Sequence, residues 1–156
     1  MSPALTARLR ATFPRVRVYV MYGQTEATAR LTWLPPERLD QKTGSVGIPL
    51  DGVELAVRRE DGGAAATDEP GEVWVRGPNV MQGYWQNPQA TAEVLRDGWL
   101  RTGDVGRLDA DGYLWLSGRR SDMIKTGAHR VHPQDIEEAI SELPAVAEVA
   151  VVGVDD

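Results

Sequence analysis

Apolar and polar positions change texture twice along the chain. Residues 3–12 run PALTARLRAT. They predict a short helix with Ser2 as N-cap and Pro3 at the first helical position, where a missing N–H costs nothing. Pro14 ends it. The run Val16–Tyr22 is rich in β-branched and aromatic residues and too apolar for a solvent-faced strand, which predicts a buried strand of an α/β sheet. The polar turn Gly23-Gln24-Thr25-Glu26 then falls at the carboxyl end of that strand, where open α/β sheets bind ligands.

From about Lys42 the apolar runs shorten, and glycine-rich turns separate them. Strands are predicted at Val53–Arg58, Gly71–Arg76, Val105–Leu108 and Tyr113–Ser117, with turns at Asp61-Gly62-Gly63 and Asp109–Gly112. The last turn closes a hairpin. Pro88–Arg96 reads as a single helix capped by Asn87. The third texture starts at Arg119. A small hairpin (Ser121–Lys125, Ala128–Val131) precedes the helix Pro133–Leu143, whose Ile136, Ala139, Ile140 and Leu143 share one face. Val146–Val154 reads as a strand with no following element to cover it, so the chain is expected to be a piece of a longer protein. The predicted fold class is mixed α/β and α+β. It comprises the end of an α/β part (1–49), a small β-rich part (50–118) and a partial α+β lobe (119–156).

Composition narrows the chemistry. The 156 residues carry a net charge of −6 with no basic block, which argues against nucleic acid as a partner. No apolar run approaches the roughly 18–20 residues of a membrane span, and no signal-peptide pattern opens the chain; the expected location is the cytoplasm. Cysteine is absent, which excludes disulfides and thiolate chemistry, and the two histidines (His129, His132) argue against a His-built metal site. Only Lys42 and Lys125 are lysines, so any step that needs one has two candidates.

Three stretches combine groups that chemistry could use. Tyr22-Gly23-Gln24-Thr25-Glu26 joins an aromatic face, a glycine, a hydroxyl and a carboxylate, a set that can stack a base, contact a phosphate and hold a divalent cation. It is also a serviceable polar turn with a capping threonine. Arg101-Thr102-Gly103-Asp104 offers a carboxylate whose two oxygens suit a ribose diol, or else an Asx turn opening the next hairpin. Gly118–Gly127 (GRRSDMIKTG) is either a solvated corner or a junction between modules, with Arg119 reaching phosphate or ribose oxygens. GEVWVRG at 71–77 and MQGYW at 81–85 offer no evident chemistry and read as structural.

Taken in order, YGQTE at 22–26, GEVWVRGPNVMQGYW at 71–85, DGWLRTGDVG at 97–106, GYLWLSGRRSDMIKTG at 112–127 and VHPQDIEEAI at 131–140 resemble the adenylate-forming superfamily. This group contains acyl- and aryl-CoA synthetases, luciferases and the adenylation domains of peptide synthetases. The resemblance covers nearly the whole chain, and YGQTE followed by LPPE at 34–37 is most similar to an acyl-CoA ligase.

The resemblance implies an ATP-dependent, AMP-forming ligase acting on a fatty or aryl carboxylic acid, Mg²⁺ and coenzyme A. It implies stacking of Tyr22 on adenine, contact of Thr25 with the α-phosphate, and ligation of Mg²⁺ by Glu26, with Gly23 and Gln24 in the nucleotide loop. Asp104 and Arg119 would hold the ribose. Lys125 and Gly127 would belong to a loop brought to the site for thioester formation. Residues 1–118 would end the large domain and 119–156 begin the small mobile one, with Ser121 where the family usually has an Asp or Lys hinge. The family's Gly/Ser/Thr-rich phosphate loop and its C-terminal adenylation lysine are not in the sequence, so the chain alone is expected to be inactive. The alternative is a non-catalytic nucleotide-binding or protein-interaction module of the same ancestry.

Overall fold

A computed structural model describes residues 3–126, 129–141, 143 and 145–154. The helix α1 (Pro3–Thr12) is largely exposed and held by a bidentate ion pair from Arg10 to Asp40; Ser2 lies outside the described residues. The expected strand at 16–22 is confined to β1 (Val20–Tyr22), which pairs antiparallel with β2 (Thr32–Leu34), itself paired with β3 (Ile48–Pro49). One face of this small sheet is covered: Val20, Leu34 and Leu39 form a buried cluster. The other face carries Tyr19 stacked on Trp33 and leaves Met21 44% exposed, so the strand is buried on one side only.

The larger sheet contains β4 (Glu54–Arg58), β5 (Gly71–Arg76), β6 (Leu95–Arg96), β7 (Trp99–Leu108) and β8 (Leu114–Arg119). β5 takes one edge of β7, while β6 and β8 share the other. Val73, Val75, Leu100 and Leu114 are fully or almost fully buried and pack with Ala27 and Leu31, which fuses the two sheets into one core. Gly47 is the seam. Its Cβ would lie 1.9 Å from the Trp33 carbonyl oxygen, and its own carbonyl accepts from Leu114 N at 2.8 Å. Only a residue without a side chain, at φ +93°, fits between β2 and β8.

Asn87 caps α2 (Pro88–Val94) as expected, its side chain accepting from Ala90 N at 3.0 Å. The helix stops two residues early because Leu95–Arg96 pair with β7 instead, through a tight Asp97-Gly98 turn with both φ values positive.

The stretch at 101–104 is not a turn opening a hairpin. It is a bulge inside the continuous ten-residue β7, between the pairs Glu72↔Val105 and Trp74↔Arg101. Thr102 Oγ1 donates to Val73 O (2.8 Å) and accepts from Asp104 N (3.1 Å), while Gly103 takes φ +76°. A bulge of this kind re-aims the side chain that follows it, here Asp104.

Beyond β8 come the hairpin β9 (Ile124–Thr126) and β10 (His129–Val131), then α3 (Pro133–Ser141). The strand expected at 146–154 does not form. No described strand pairs with it, and Val152 and Val154 stand 76% and 84% exposed. Apolar β-branched sequence makes a strand only where a ladder partner takes its backbone groups.

Candidate functional site

β1 ends at Tyr22, and the chain returns to β2 through a compact loop closed by Leu31 N donating to Tyr22 O at 2.8 Å. Gly23 is required at its first position, because a Cβ there would stand 2.4 Å from the Ala29 carbonyl oxygen. The Gln24 carbonyl accepts from both Ala27 N and Ala29 N. Thr25–Ala27 form a single 3-10 turn whose buried Ala27 plugs into the core. Thr25 is exposed and Glu26 half-buried. Thr28 and Ala29 follow with φ of 56° and 62°, a left-handed pair that costs energy without glycine.

The other contributor is the β7 bulge. Asp104 is 8% exposed and accepts a 2.5 Å hydrogen bond from the Tyr22 hydroxyl on Oδ2. Its Oδ1 faces Arg119 Nε at 3.3 Å, the β8 residue directly opposite in register. Burial, and then the Asp104 carboxylate, push the Tyr22 hydroxyl well above its ordinary pKa, so it stays protonated and donating. Among the described residues these two polar contacts leave lone pairs on this carboxylate unused.

Tyr22, Asp104 and Arg119 are thus brought together. Glu26 lies in a second cluster: its Oε1 accepts from the Tyr84 hydroxyl at 2.9 Å and its backbone oxygen accepts from Met81 N at 2.8 Å. Burial and Glu26 raise the Tyr84 pKa as well. A large open groove (≈ 1590 Å³) runs between the sheet and the C-terminal segment, lined by Asp104, Gly118, Arg119, Ser121 and Ile124 among others; Tyr22, Thr25 and Glu26 are not on its walls. Lys125 sits in β9 opposite Arg130, and Gly127 lies outside the described residues.

Sequence reasoning missed Tyr84, in the stretch 81–85 read as structural, and Asn79, which falls between the two stretches read so. Asn79 Nδ2 donates to the carbonyls of Ala27 (3.1 Å) and Arg30 (2.9 Å), and its own carbonyl accepts from Thr28 Oγ1 (2.6 Å). These bonds bracket the left-handed pair and hold it. The tyrosine following Gly83 was a visible signal that no local pattern linked to Glu26.

Lys42 belongs to neither cluster. It bonds Asp109 (2.8 Å) and Asp111 (2.6 Å) at the β7–β8 hairpin tip. Among the described residues no group of acidic or histidine side chains is gathered to hold a metal by itself. A lone carboxylate such as Glu26 fits a cation that takes its remaining ligands from phosphates and water, as Mg²⁺ commonly does.

Residues 1–85 match the family model described as AMP-binding enzyme. The chain belongs to that family. It is 45% identical over 141 residues to a 2-succinylbenzoate–CoA ligase of Geobacillus kaustophilus, a match covering 90% of this chain and 29% of the relative. An indoleacetate–CoA ligase of Aromatoleum aromaticum is 44% identical over 133 residues, covering 85% of this chain and 26% of its own. Among solved structures, the O-succinylbenzoate CoA synthetase of Bacillus subtilis in complex with ATP and magnesium superposes with a TM-score of 0.91 at 36% identity, over 100% of this chain and 32% of that one. The amide bond synthetase McbA of Marinactinospora thermotolerans superposes at 0.86 with 42% identity, over 99% and 32%. The chain therefore spans about a third or less of the length of the relatives it matches.

Proposed function

We propose that these residues supply one side of the nucleotide site of an AMP-forming acid–thiol ligase. In this reading residues 1–118 close the large domain and 119–156 open the mobile one, turning at Arg119–Ser121. Tyr22 lays its ring against adenine while its hydroxyl keeps Asp104 oriented. Asp104 then accepts from the ribose hydroxyls with the lone pairs that Tyr22 and Arg119 leave free. Thr25, exposed at the loop tip, donates to the α-phosphate. Mg²⁺, held by Glu26 and the phosphates, would neutralise charge on the triphosphate.

A carboxylate oxygen of the acid attacks the α-phosphorus, and the bond to pyrophosphate breaks. The thiol of coenzyme A, giving up its proton, then attacks the acyl carbon and AMP leaves. Lys125 and Gly127 belong to the segment presented in that second step. The protein's part throughout is positioning and charge neutralisation rather than covalent catalysis. The outer face of β1 and β2, with Tyr19 and Met21 exposed and a half-buried Trp33 stacked on Tyr19, supports a further layer contributed by the remainder of such a ligase.

The observation that carries the reading is the bulge-aimed, buried and only partly satisfied Asp104 under the Tyr22 hydroxyl. The test is a pyrophosphate-release assay with ATP, Mg²⁺, coenzyme A and a panel of fatty and aryl acids. Residues 1–156 alone are expected to be silent, since losing even one preorganised electrostatic element costs about 10²–10³ in rate. A full-length ligase carrying this sequence is expected to turn over and to lose activity with Glu26→Ala. Steady turnover by residues 1–156, or a full-length enzyme indifferent to Glu26→Ala, would overturn it.

A further inference from the structure

The segment 79–84 reaches the loop between β1 and β2 at four places. Asn79 binds the carbonyls on either side of the strained Thr28–Ala29 pair, Thr28 Oγ1 returns a bond to Asn79 O, Met81 N caps the Glu26 carbonyl, and Tyr84 reaches the Glu26 carboxylate. Tyr84 is itself fixed from behind. Its backbone N–H donates to Thr91 Oγ1 at 2.9 Å, Thr91 Oγ1 donates to Asn87 O at 2.8 Å, and Asn87 N donates to Tyr84 O at 3.2 Å. A Cβ on Gly83 would stand 2.9 Å from the Thr91 methyl carbon, so the backbone approaches α2 as closely as a glycine permits. The backbone that carries the phenol is thus tied to the start of a helix, and the hydroxyl stands 2.9 Å from Glu26 Oε1.

We propose that Tyr84 is a positioning residue for the divalent cation: its hydroxyl occupies Oε1 of Glu26 and turns Oε2 outward as the single oxygen offered to the metal. The proposal rests on the reading of Glu26 as the metal-holding carboxylate. The physical ground is that a half-buried glutamate samples several rotamers, and a ligating carboxylate is oriented by the groups that bond its other oxygen. A phenol donor suits this task because it neutralises none of the charge the cation needs. Ligation through one oxygen also leaves room for the water and phosphate ligands that magnesium keeps.

The experiment is a Mn²⁺ titration read by the electron paramagnetic resonance of free Mn²⁺, with ATP present, on the full-length ligase chain. Metal-free adenosine binding and thermal midpoint are measured in parallel. Tyr84→Phe removes only the hydroxyl. It is expected to weaken Mn²⁺ retention by roughly ten-fold, the effect typical of losing a partner of a metal ligand, while adenosine affinity and thermal midpoint stay as in the parent. In a Glu26→Gln background the same substitution is expected to add nothing, because the oriented ligand is already gone. Wild-type Mn²⁺ retention in Tyr84→Phe, alongside weakened retention in Glu26→Gln, sinks the role of Tyr84 alone. A further loss in the double variant, or an equal loss of adenosine affinity, makes Tyr84 a structural prop and also overturns it. Undiminished retention in Glu26→Gln overturns the metal reading of Glu26 itself.

Discussion

Asp104 and Asp109 stand on the same hairpin and are both nearly buried, yet their surroundings differ in kind. Asp109 accepts from Lys42 Nζ (2.8 Å), Tyr113 N (2.9 Å), Asp111 N (3.0 Å) and Trp115 Nε1 (3.1 Å). Its cation, Lys42, is 16% exposed and also lies 4.7 Å from the Tyr113 ring centroid. Every oxygen lone pair of Asp109 has an owner. Among the described residues Asp104 has one hydrogen bond, from Tyr22, and one ion pair, to an Arg119 that is 63% exposed. A saturated carboxylate ties a fold together; an equally buried one left half-satisfied is a place where a ligand can enter. Counting donors, rather than burial, separates the two.

The largest effect that could break this contrast falls on stability. Asp109→Ala removes a carboxylate with four donors and is expected to cost about 3 kcal/mol, a fall of roughly 6–12 °C in thermal midpoint for a domain of this size. Calorimetry of the two proteins reads it. The pH dependence has a definite sign. Burial alone would raise the Asp109 pKa, but the hydrogen bonds from Lys42, Tyr113, Trp115 and Asp111 outweigh it and hold the group at about 2 against an ordinary 3.8. A carboxylate depressed on folding contributes stability above its unfolded pKa and loses it as pH falls toward the folded value. The gap between wild type and Asp109→Asn is therefore expected to be constant from pH 7 to pH 5 and to narrow between pH 4 and pH 2. A gap that widened on acidification would show that the carboxylate is not the stabilising form.

Next in size is the mirror experiment. Asp104→Ala is expected to leave the thermal midpoint within a few degrees of wild type but to weaken nucleotide binding in the full-length ligase by about 1–3 kcal/mol, the cost of removing a charged acceptor from two hydroxyls. Isothermal titration with ATP measures it. Unchanged affinity with a large loss of stability would place Asp104 beside Asp109 as a structural group.

Several elements of the fold were legible in the sequence, and the illegible part has a physical reason. β5 runs Gly71–Arg76 as read, because its short β-branched and aromatic run and the glycines at its ends are local signals; the cap at Asn87 was equally local. The bulge was not legible. Thr102-Gly103-Asp104 looks like a turn until β5 is laid beside it, and only the pairing across Val73 shows that the strand continues. The apolar run at 146–154 failed the opposite way: its composition suits a strand, but no described neighbour offers a ladder. The family resemblance set Tyr22, Asp104 and Arg119 around one nucleotide, but the Tyr22–Asp104 hydrogen bond itself spans 82 positions and no local pattern could reveal it. Tyr84, 58 positions from Glu26, was passed over for the same reason.

The smallest expected effect is the sharpest test of how the two carboxylates differ, because it concerns their cations. Lys42 and Arg119 each face an aspartate at 3.3 Å or less, and a list of ion pairs would rank them alike. Exposure says otherwise. At 63% exposed, the Arg119 guanidinium is solvated and screened, and pairs of that kind contribute about 0–1 kcal/mol. Its Nε, moreover, faces Asp104 from the neighbouring strand without sealing it from the groove that both residues line. Arg119→Ala is accordingly expected to move the urea unfolding midpoint of this chain by no more than the equivalent of about 0.5 kcal/mol, with an unchanged slope. Lys42→Ala, measured in parallel, should give the larger shift, since it strips the one cation that Asp109 and Asp111 share. Were Arg119→Ala to destabilise the chain as much as Lys42→Ala, Asp104 would be locked by its cation just as Asp109 is. The free lone pairs on which a ribose contact depends would then not be available.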